Sequence, residues 1–333
     1  MKWWMKTLLT LIICLGIVYL VGPHPSSPVY EVELPRVPTS MSSLENYIAN
    51  KEALHKLRPN NEARIVWADS LQQPTDYAIV YLHGFSASQE EGNPAHRIIA
   101  SKFGCNLYLS RLAEHGIDTS DQLLNLTADN YWESGKEALA IGKQLGKKVI
   151  LMGTSTGGTL ALKLAATYPN DVFALILYSP NIAINDPKAF LLNNHWGLQI
   201  ARKVKQSNFN TPSDTREIYK QYWNSPYRLE AAVALEELLE TTMTEATFKA
   251  VHQPTLALYY YKDEQHQDAV VKVSATQNMM KQLSTPTVQK REMPMPKTGD
   301  HVIGSPIKSK DVEGVISETG KFMVEVLKIK VVN

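Results

Sequence analysis

The chain has 333 residues, with 34 lysines and arginines against 33 aspartates and glutamates, a formal net charge of +1, and 44% hydrophobic residues. These values suit one large folded domain or two modest ones and exclude disordered, collagen-like and coiled-coil chains. A near-neutral balance without a basic run leaves no electrostatic footprint for nucleic acid. Two cysteines, Cys14 and Cys105, exclude a disulfide-dense scaffold and a cysteine-rich zinc site.

Residues 1–22 read as a membrane segment. Lys2 and Lys6 precede a charge-free run from Thr7 to Val21, Trp3 and Trp4 suit the interface belt, and Pro23 follows. No A-x-A-like cleavage site stands after the run, which favours an uncleaved signal anchor over a cleaved signal peptide. Positive charge before the run keeps the N-terminus in the cytoplasm. The remainder is then periplasmic or extracellular, or secreted if the segment is cleaved.

Residues 23–60 are proline-rich between Pro23 and Pro38 and read as a linker, with a short helix near Leu44–Leu57. From 61 to 333 strand-like and helix-like segments alternate. Strands are expected at Arg64–Ala68, Tyr77–Leu82, Asn106–Leu112, Lys148–Met152, Ala174–Ser179, Thr255–Tyr261 and Val288–Met293. Helices are expected over PAHRIIASKFG, Ala128–Gly146, Gly157–Tyr168 and Lys310–Lys328. Fully apolar strands separated by helices indicate an α/β fold with a mostly parallel sheet covered on both faces. Residues 183–250 break the rhythm. They hold amphipathic helical stretches and no clear strand, as a helical cap inserted over one end of the sheet would.

The segment KKVILMGTSTGGTLALKLAATYP runs from strand through Gly153-Thr154-Ser155-Thr156-Gly157 into a helix. A serine at the apex of such a turn holds its hydroxyl clear of the sheet. The flanking glycines let strand and helix nearly touch, and the helix N-terminus aims backbone N–H groups at a developing oxyanion.

With this G-x-S-x-G turn the chain resembles the α/β-hydrolase family of serine esterases and lipases, over about residues 60–330. The resemblance implies an α/β-hydrolase fold and a triad in the order Ser, acid, His. His83-Gly84-Phe85 resembles the family's H-G-F/G turn, so the implied oxyanion donors are the N–H groups of Phe85 and Thr156, and His83 is structural. Arg111 to Gly116 resembles the R-L-x-G-H-G loop but has Glu114 where glycine is usual, and His115 reads as a loop-shaping residue.

Two aspartates compete as the acid after the strand TLALYYY. Asp263 lies at the usual distance, whereas Asp268 begins a D-x-V-V pattern before a helix and is preferred, the extra residues being a loop insertion. His301, in Thr298-Gly299-Asp300-His301-Val302-Ile303, matches the family's G-x-H loop and is the implied base; Asp300 has no assigned role. Ser155, Asp268 and His301 then make a serine hydrolase for acyl esters that works through an acyl-enzyme and needs no metal or organic cofactor. Cap residues Phe190, Trp196, Tyr219, Tyr222 and Trp223 suit an apolar acyl group or, equally, core packing of the cap, and short helical caps of this kind resemble those of carboxylesterases and monoacylglycerol lipases. The alternatives are a peptidase, thioesterase or acyltransferase on the same triad, or a catalytically silent envelope binding protein. Asn125-Leu-Thr127 is a glycosylation sequon.

Overall fold

The computed structural model describes residues 3–332. Helix α1 (Trp3–Leu20) carries a single charge, Lys6, is charge-free and largely apolar from Thr7 onward, and has no buried residue. Helix α2 (Met41–Glu52) starts three residues earlier than the sequence pattern suggests, because the Ser40 side chain accepts from the Ser43 N–H and caps it there. Its Leu44 and Ile48 are buried. Residues 23–60 lie against the domain that follows them. Trp132 Nε1 donates to the Glu31 carbonyl at 2.8 Å, Lys136 Nζ to that of Glu33 at 2.9 Å, and the Tyr168 hydroxyl to that of Val32 at 2.9 Å.

Next come β1 (Arg64–Val66), β2 (Thr75–Leu82), α3 (Ala95–Lys102), β3 (Asn106–Leu109), α4 (Ala128–Leu145), β4 (Gly146–Thr154), α5 (Thr156–Thr167) and β5 (Val172–Tyr178). Strand β3 ends at Leu109, short of the expected Leu112. Ser110 turns inward there, its N–H and hydroxyl both donating to the Tyr81 carbonyl. The cap holds α6 (Gly197–Lys205), β6 (Phe209–Asn210), α7 (Glu217–Tyr222), β7 (Tyr227–Arg228), α8 (Leu229–Thr242) and α9 (Glu245–Ala250). The β6–β7 ladder is a small departure from the all-helical cap expected. It pairs Phe209 with Arg228 and Asn210 with Tyr227, too short to register as alternation in the sequence. The chain closes with β8 (Thr255–Tyr259), β9 (Tyr261–Asp263), β10 (His266–Gln267), α10 (Val273–Gln282), β11 (Lys290–Pro294) and α11 (Val312–Glu325).

Seven strands form one sheet in the order β1-β3-β2-β4-β5-β8-β11. Only β1 runs antiparallel within it. The apolar runs of the central strands follow from burial on both faces. On β2, Ala78, Val80 and Leu82 join one core with α4 and α5, while Ile79 and Tyr81 join a second core with α3 and α11. On β4, Val149 and Leu151 face the first core and Ile150 and Met152 the second. Each such side chain contributes roughly 1.5–3 kcal/mol through burial, so a polar substitution on either face of β4 is costly. Parallel strands place their C-terminal ends along one edge, where their loops converge under the cap.

Candidate active site

Ser155 sits between β4 and α5 with φ 53° and ψ −120°, a left-handed strained conformation for a non-glycine residue. Its surroundings enforce the turn. A Cβ at Gly157 would run into the Leu82 carbonyl oxygen, and one at Gly153 into the Gly157 carbonyl. The Ser155 N–H is tied to the Tyr178 carbonyl at 2.9 Å, and the Ser155 carbonyl accepts from Asn181 at 2.9 Å. Only 6% of Ser155 is exposed, and it opens into a cavity of about 710 Å³.

His301 lies on the loop after β11 and lines the same cavity. Its Nδ1 is 2.6 Å from Asp268 Oδ2, both residues being buried. The other Asp268 oxygen accepts from the backbone N–H groups of Val270 (2.8 Å) and Val271 (3.1 Å), which aims Oδ2 at the imidazole. Burial opposes charge on His301, but the charge and hydrogen bond of Asp268, with Glu91 and Asp300 nearby, outweigh it and raise its pKa above the ordinary value.

Asp263 is not part of this pair. It is half-exposed and bonds His266 Nδ1 at 2.8 Å. The residues between the two aspartates form the β9–β10 hairpin, and the Asp268 N–H then bonds the Tyr260 carbonyl at 3.0 Å. The hairpin loops out and returns the chain to the end of β8, so Asp268 occupies the position that strand length alone would give to Asp263.

The Phe85 and Thr156 N–H groups have no acceptor among the described residues. The 83–86 turn that carries Phe85 is fixed by neutral imidazoles. His83 Nδ1 donates to the Gly84 carbonyl (2.9 Å) while its Nε2 accepts from the Leu112 N–H (3.1 Å). His115 Nδ1 donates to the Ala113 carbonyl (2.7 Å) and its Nε2 accepts from the Ser86 N–H (3.0 Å). Burial pushes the His83 pKa down to about 4 and holds that of His115 well below the ordinary histidine value. Glu114 takes φ 64°, which is why glycine suits that place.

One residue of the site carried no sequence signal. Glu91 is buried beside Ser155 and His301 in the cavity wall, and its Oε2 accepts from the Gly84 N–H at 2.6 Å. Burial raises its pKa to about 7, against the opposing pull of His301 and the Gly84 N–H. A Cβ at Gly84 would press on both this carboxylate and Ser155 Cβ, so turn, glutamate and serine pack as one unit. No G-x-x-E pattern advertises this. The only cue is a glutamate just after an oxyanion-type turn.

Tyr219 and Trp223 stack at 4.9 Å and line the cavity, while Tyr222 is buried. Phe190 is exposed, and Trp196 packs on the end of α1 rather than on the cavity. Asp300 lines the cavity and accepts from the Val302 N–H. Among the described residues no three His, Cys, Asp or Glu side chains converge as metal ligands.

A family model described as serine aminopeptidase, S33, matches residues 136–295, the stretch from α4 through β11. The fold is that of solved lipolytic enzymes. A structure reported for the metagenome-derived lipolytic enzymes LipS and LipT is similar with a TM-score of 0.64 and 16% identity, over 80% of this chain and 99% of that one. A monoacylglycerol lipase from Paleococcus ferrophilus is similar at TM-score 0.57 and 12% identity, over 79% and 97%. Est1E from Butyrivibrio proteoclasticus, solved with ferulic acid bound, is similar at 0.56 and 16%, over 80% and 95%. No curated protein matches the chain in sequence. Sheet order, cap position and these neighbours agree on an α/β-hydrolase fold.

Proposed function

We propose that this α/β-hydrolase cleaves carboxylic esters through Ser155, His301 and Asp268 by way of an acyl-enzyme. The observation that carries the reading is the buried 2.6 Å contact between His301 Nδ1 and Asp268 Oδ2, at a cavity that Ser155 also lines. With Nδ1 engaged, Nε2 is the nitrogen left to take the Ser155 proton. Asp268 fixes that tautomer and stabilises the imidazolium as Ser155 attacks the acyl carbon. The unpartnered N–H groups of Phe85 and Thr156 receive the charge that develops on the carbonyl oxygen, each such donor typically being worth about 2.7–4 kcal/mol. The imidazolium then protonates the leaving alcohol, and water activated by His301 releases the acid.

The cavity suits an apolar acyl group. Leu191, Ile200, Val204 and Leu235 line its wall between α6 and α8, and its volume is in the range of small-molecule sites. In the same reading α1 is a signal anchor and the catalytic domain lies outside the cytoplasm. A peptidase is the second reading, favoured by the description of the matching family model.

The test sets an ester panel from acetyl to palmitoyl beside aminoacyl anilides, with wild type and Ser155→Ala. Turnover of esters with a chain-length optimum, reduced by about 10⁶ in kcat in Ser155→Ala, is the expected result. Anilide hydrolysis without ester hydrolysis moves the peptidase reading ahead. Ester turnover that survives Ser155→Ala overturns the triad.

A further inference from the structure

The apolar helix and the catalytic cavity meet at one place. The last turn of α1 and the residues after it seat on the loop that leads into α6. Trp196 Nε1 donates to the Val18 carbonyl at 3.0 Å and its N–H to that of Pro23 at 2.8 Å, while His195 Nδ1 lies 2.8 Å from the Gly22 carbonyl. Gly22 lies against the Trp196 indole so closely that any Cβ would strike it. The imidazoles of His24 and His195 meet edge to face at 4.5 Å. None of these contacts touches the catalytic residues, and the ester chemistry does not require them.

The seat fixes where the cavity stands relative to a membrane. An 18-residue helix is about 27 Å long, close to the thickness of a bilayer's hydrocarbon core. Its C-terminal end therefore emerges at headgroup level, where tryptophan is favoured. Trp196 is bonded to that end, so the cap residues around it come to the same level. They carry an exposed apolar rim: Phe190 is 51% exposed, Ile200 46% and Val204 76%. Ile200 and Val204 also line the cavity, so the rim and the cavity mouth are the same surface. The last turn of α6 adds the exposed Lys203 and Lys205, a charge complement for anionic headgroups, while Arg202 is paired with Glu230 at 2.6 Å.

We propose that this cap rim docks on the outer face of the bilayer that α1 crosses, so that the cavity takes single-chain acyl esters directly from the lipid. The proposal rests on reading α1 as an anchor and on ester hydrolysis as the activity. The occupant is lipid because the rim continues from a helix with no buried residue of its own. An acyl chain leaving the bilayer then passes along Ile200 and Val204 towards Ser155 without exposing its methylenes to water. A substrate of this class has a small polar alcohol that stays at headgroup level while its chain enters between α6 and α8.

The experiment uses the full chain reconstituted in vesicles of phosphatidylcholine and phosphatidylglycerol. An environment-sensitive dye is placed at Phe190→Cys or, as a control beyond the opposite end of the sheet, at Leu71→Cys. Cys14→Ser removes the exposed native thiol. Lipids with a doxyl group in the shallow acyl region are the quencher. Loss of dye emission at 190 with none at 71 is expected. An unquenched dye at 190 in chains that remain with the vesicles overturns the docking and leaves the anchor standing. Chains extracted by carbonate overturn the anchor and the docking together. A dye at 190 that is shielded but unquenched, with cross-linking between copies, assigns the rim to a second copy and also overturns the proposal.

Activity supplies a separate arm. In Gly22→Leu/Trp196→Ala, hydrolysis of a vesicle-embedded monoacyl ester is expected to fall about tenfold, with a soluble butyrate ester changed less than about twofold. An equal fall on both esters overturns delivery from the bilayer. Silence of wild type on both esters instead overturns the esterase reading, while the dye still reports on docking.

Discussion

The turn that carries Ser155 and the cap that covers it are built on opposite principles. At the turn, backbone meets backbone. Gly153 and Gly157 leave no space for a Cβ, the Ser155 N–H is bound to β5, and the neighbouring His83, His115 and Glu91 are buried and hydrogen-bonded. In the cap, apolar side chains on α6 stand exposed, Ile200 by 46% and Val204 by 76%. The difference teaches where each property of the enzyme is held. Reacting groups depend on sub-ångström placement and sit where packing removes freedom. On the proposed reading, substrate choice and approach fall to a surface that can change without disturbing them.

The sharpest way to break this contrast lies in the two aspartates. Asp268→Asn is expected to lower kcat by about 10⁴ at neutral pH through loss of the imidazole tautomer, whereas Asp263→Asn should leave it within about twofold. A reversed outcome in a kinetic assay would sink the assignment of Asp268 and the argument from the β9–β10 hairpin.

A smaller effect compares packing on the two sides. Gly157→Ala forces a methyl group against the Leu82 carbonyl and should destabilise the fold by about 3 kcal/mol or more. Val204→Ala on the cap should cost under about 1 kcal/mol yet shift the preferred acyl length. Chemical denaturation of both variants, with the ester panel for the second, reads these outcomes. Equal stability losses would remove the distinction between turn and cap.

Glu91 tests how far charge is built into the rigid side. Its folded pKa, about 7, lies above the ordinary carboxylate value because of burial. Stability attached to this group is therefore complete below the unfolded value and is lost as pH rises towards 7. Glu91→Gln keeps an oxygen for the Gly84 N–H and removes that loss. It should gain on the order of 1–3 kcal/mol over wild type at pH 8 and nothing near pH 4. Its charge also helps raise the His301 pKa. If neutral His301 is the base, as proposed, the acid limb of kcat/KM is expected above the ordinary histidine value and should move to lower pH in the variant. A limb that stays in place would show that Glu91 acts on the turn alone.

Much of this was legible in the chain. Strand–helix alternation from residue 61 onward, the apolar runs of β2 and β4, and the G-T-S-T-G turn are local signals, each set by neighbours within about one element. The loop holding His301 was legible for the same reason, as it follows the last strand. The pairing of Asp268 was open because it depends on where a hairpin returns the chain, a matter of hydrogen bonding to Tyr260 rather than of sequence distance. Glu91 left no periodic trace, since burying one carboxylate requires only that Gly84 and His301 be brought to it.

What the sequence determined by itself, then, was an α/β fold, an apolar N-terminal helix, and a serine raised on a strand-to-helix turn, because each is specified by residues that are neighbours in the chain. The tertiary structure alone decided which carboxylate meets His301, that Glu91 holds the Gly84 turn, and that α1 ends on the cap at Trp196. Those contacts join residues far apart in sequence, such as Val18 and Trp196, and only the folded chain brings their hydrogen-bonding groups within reach.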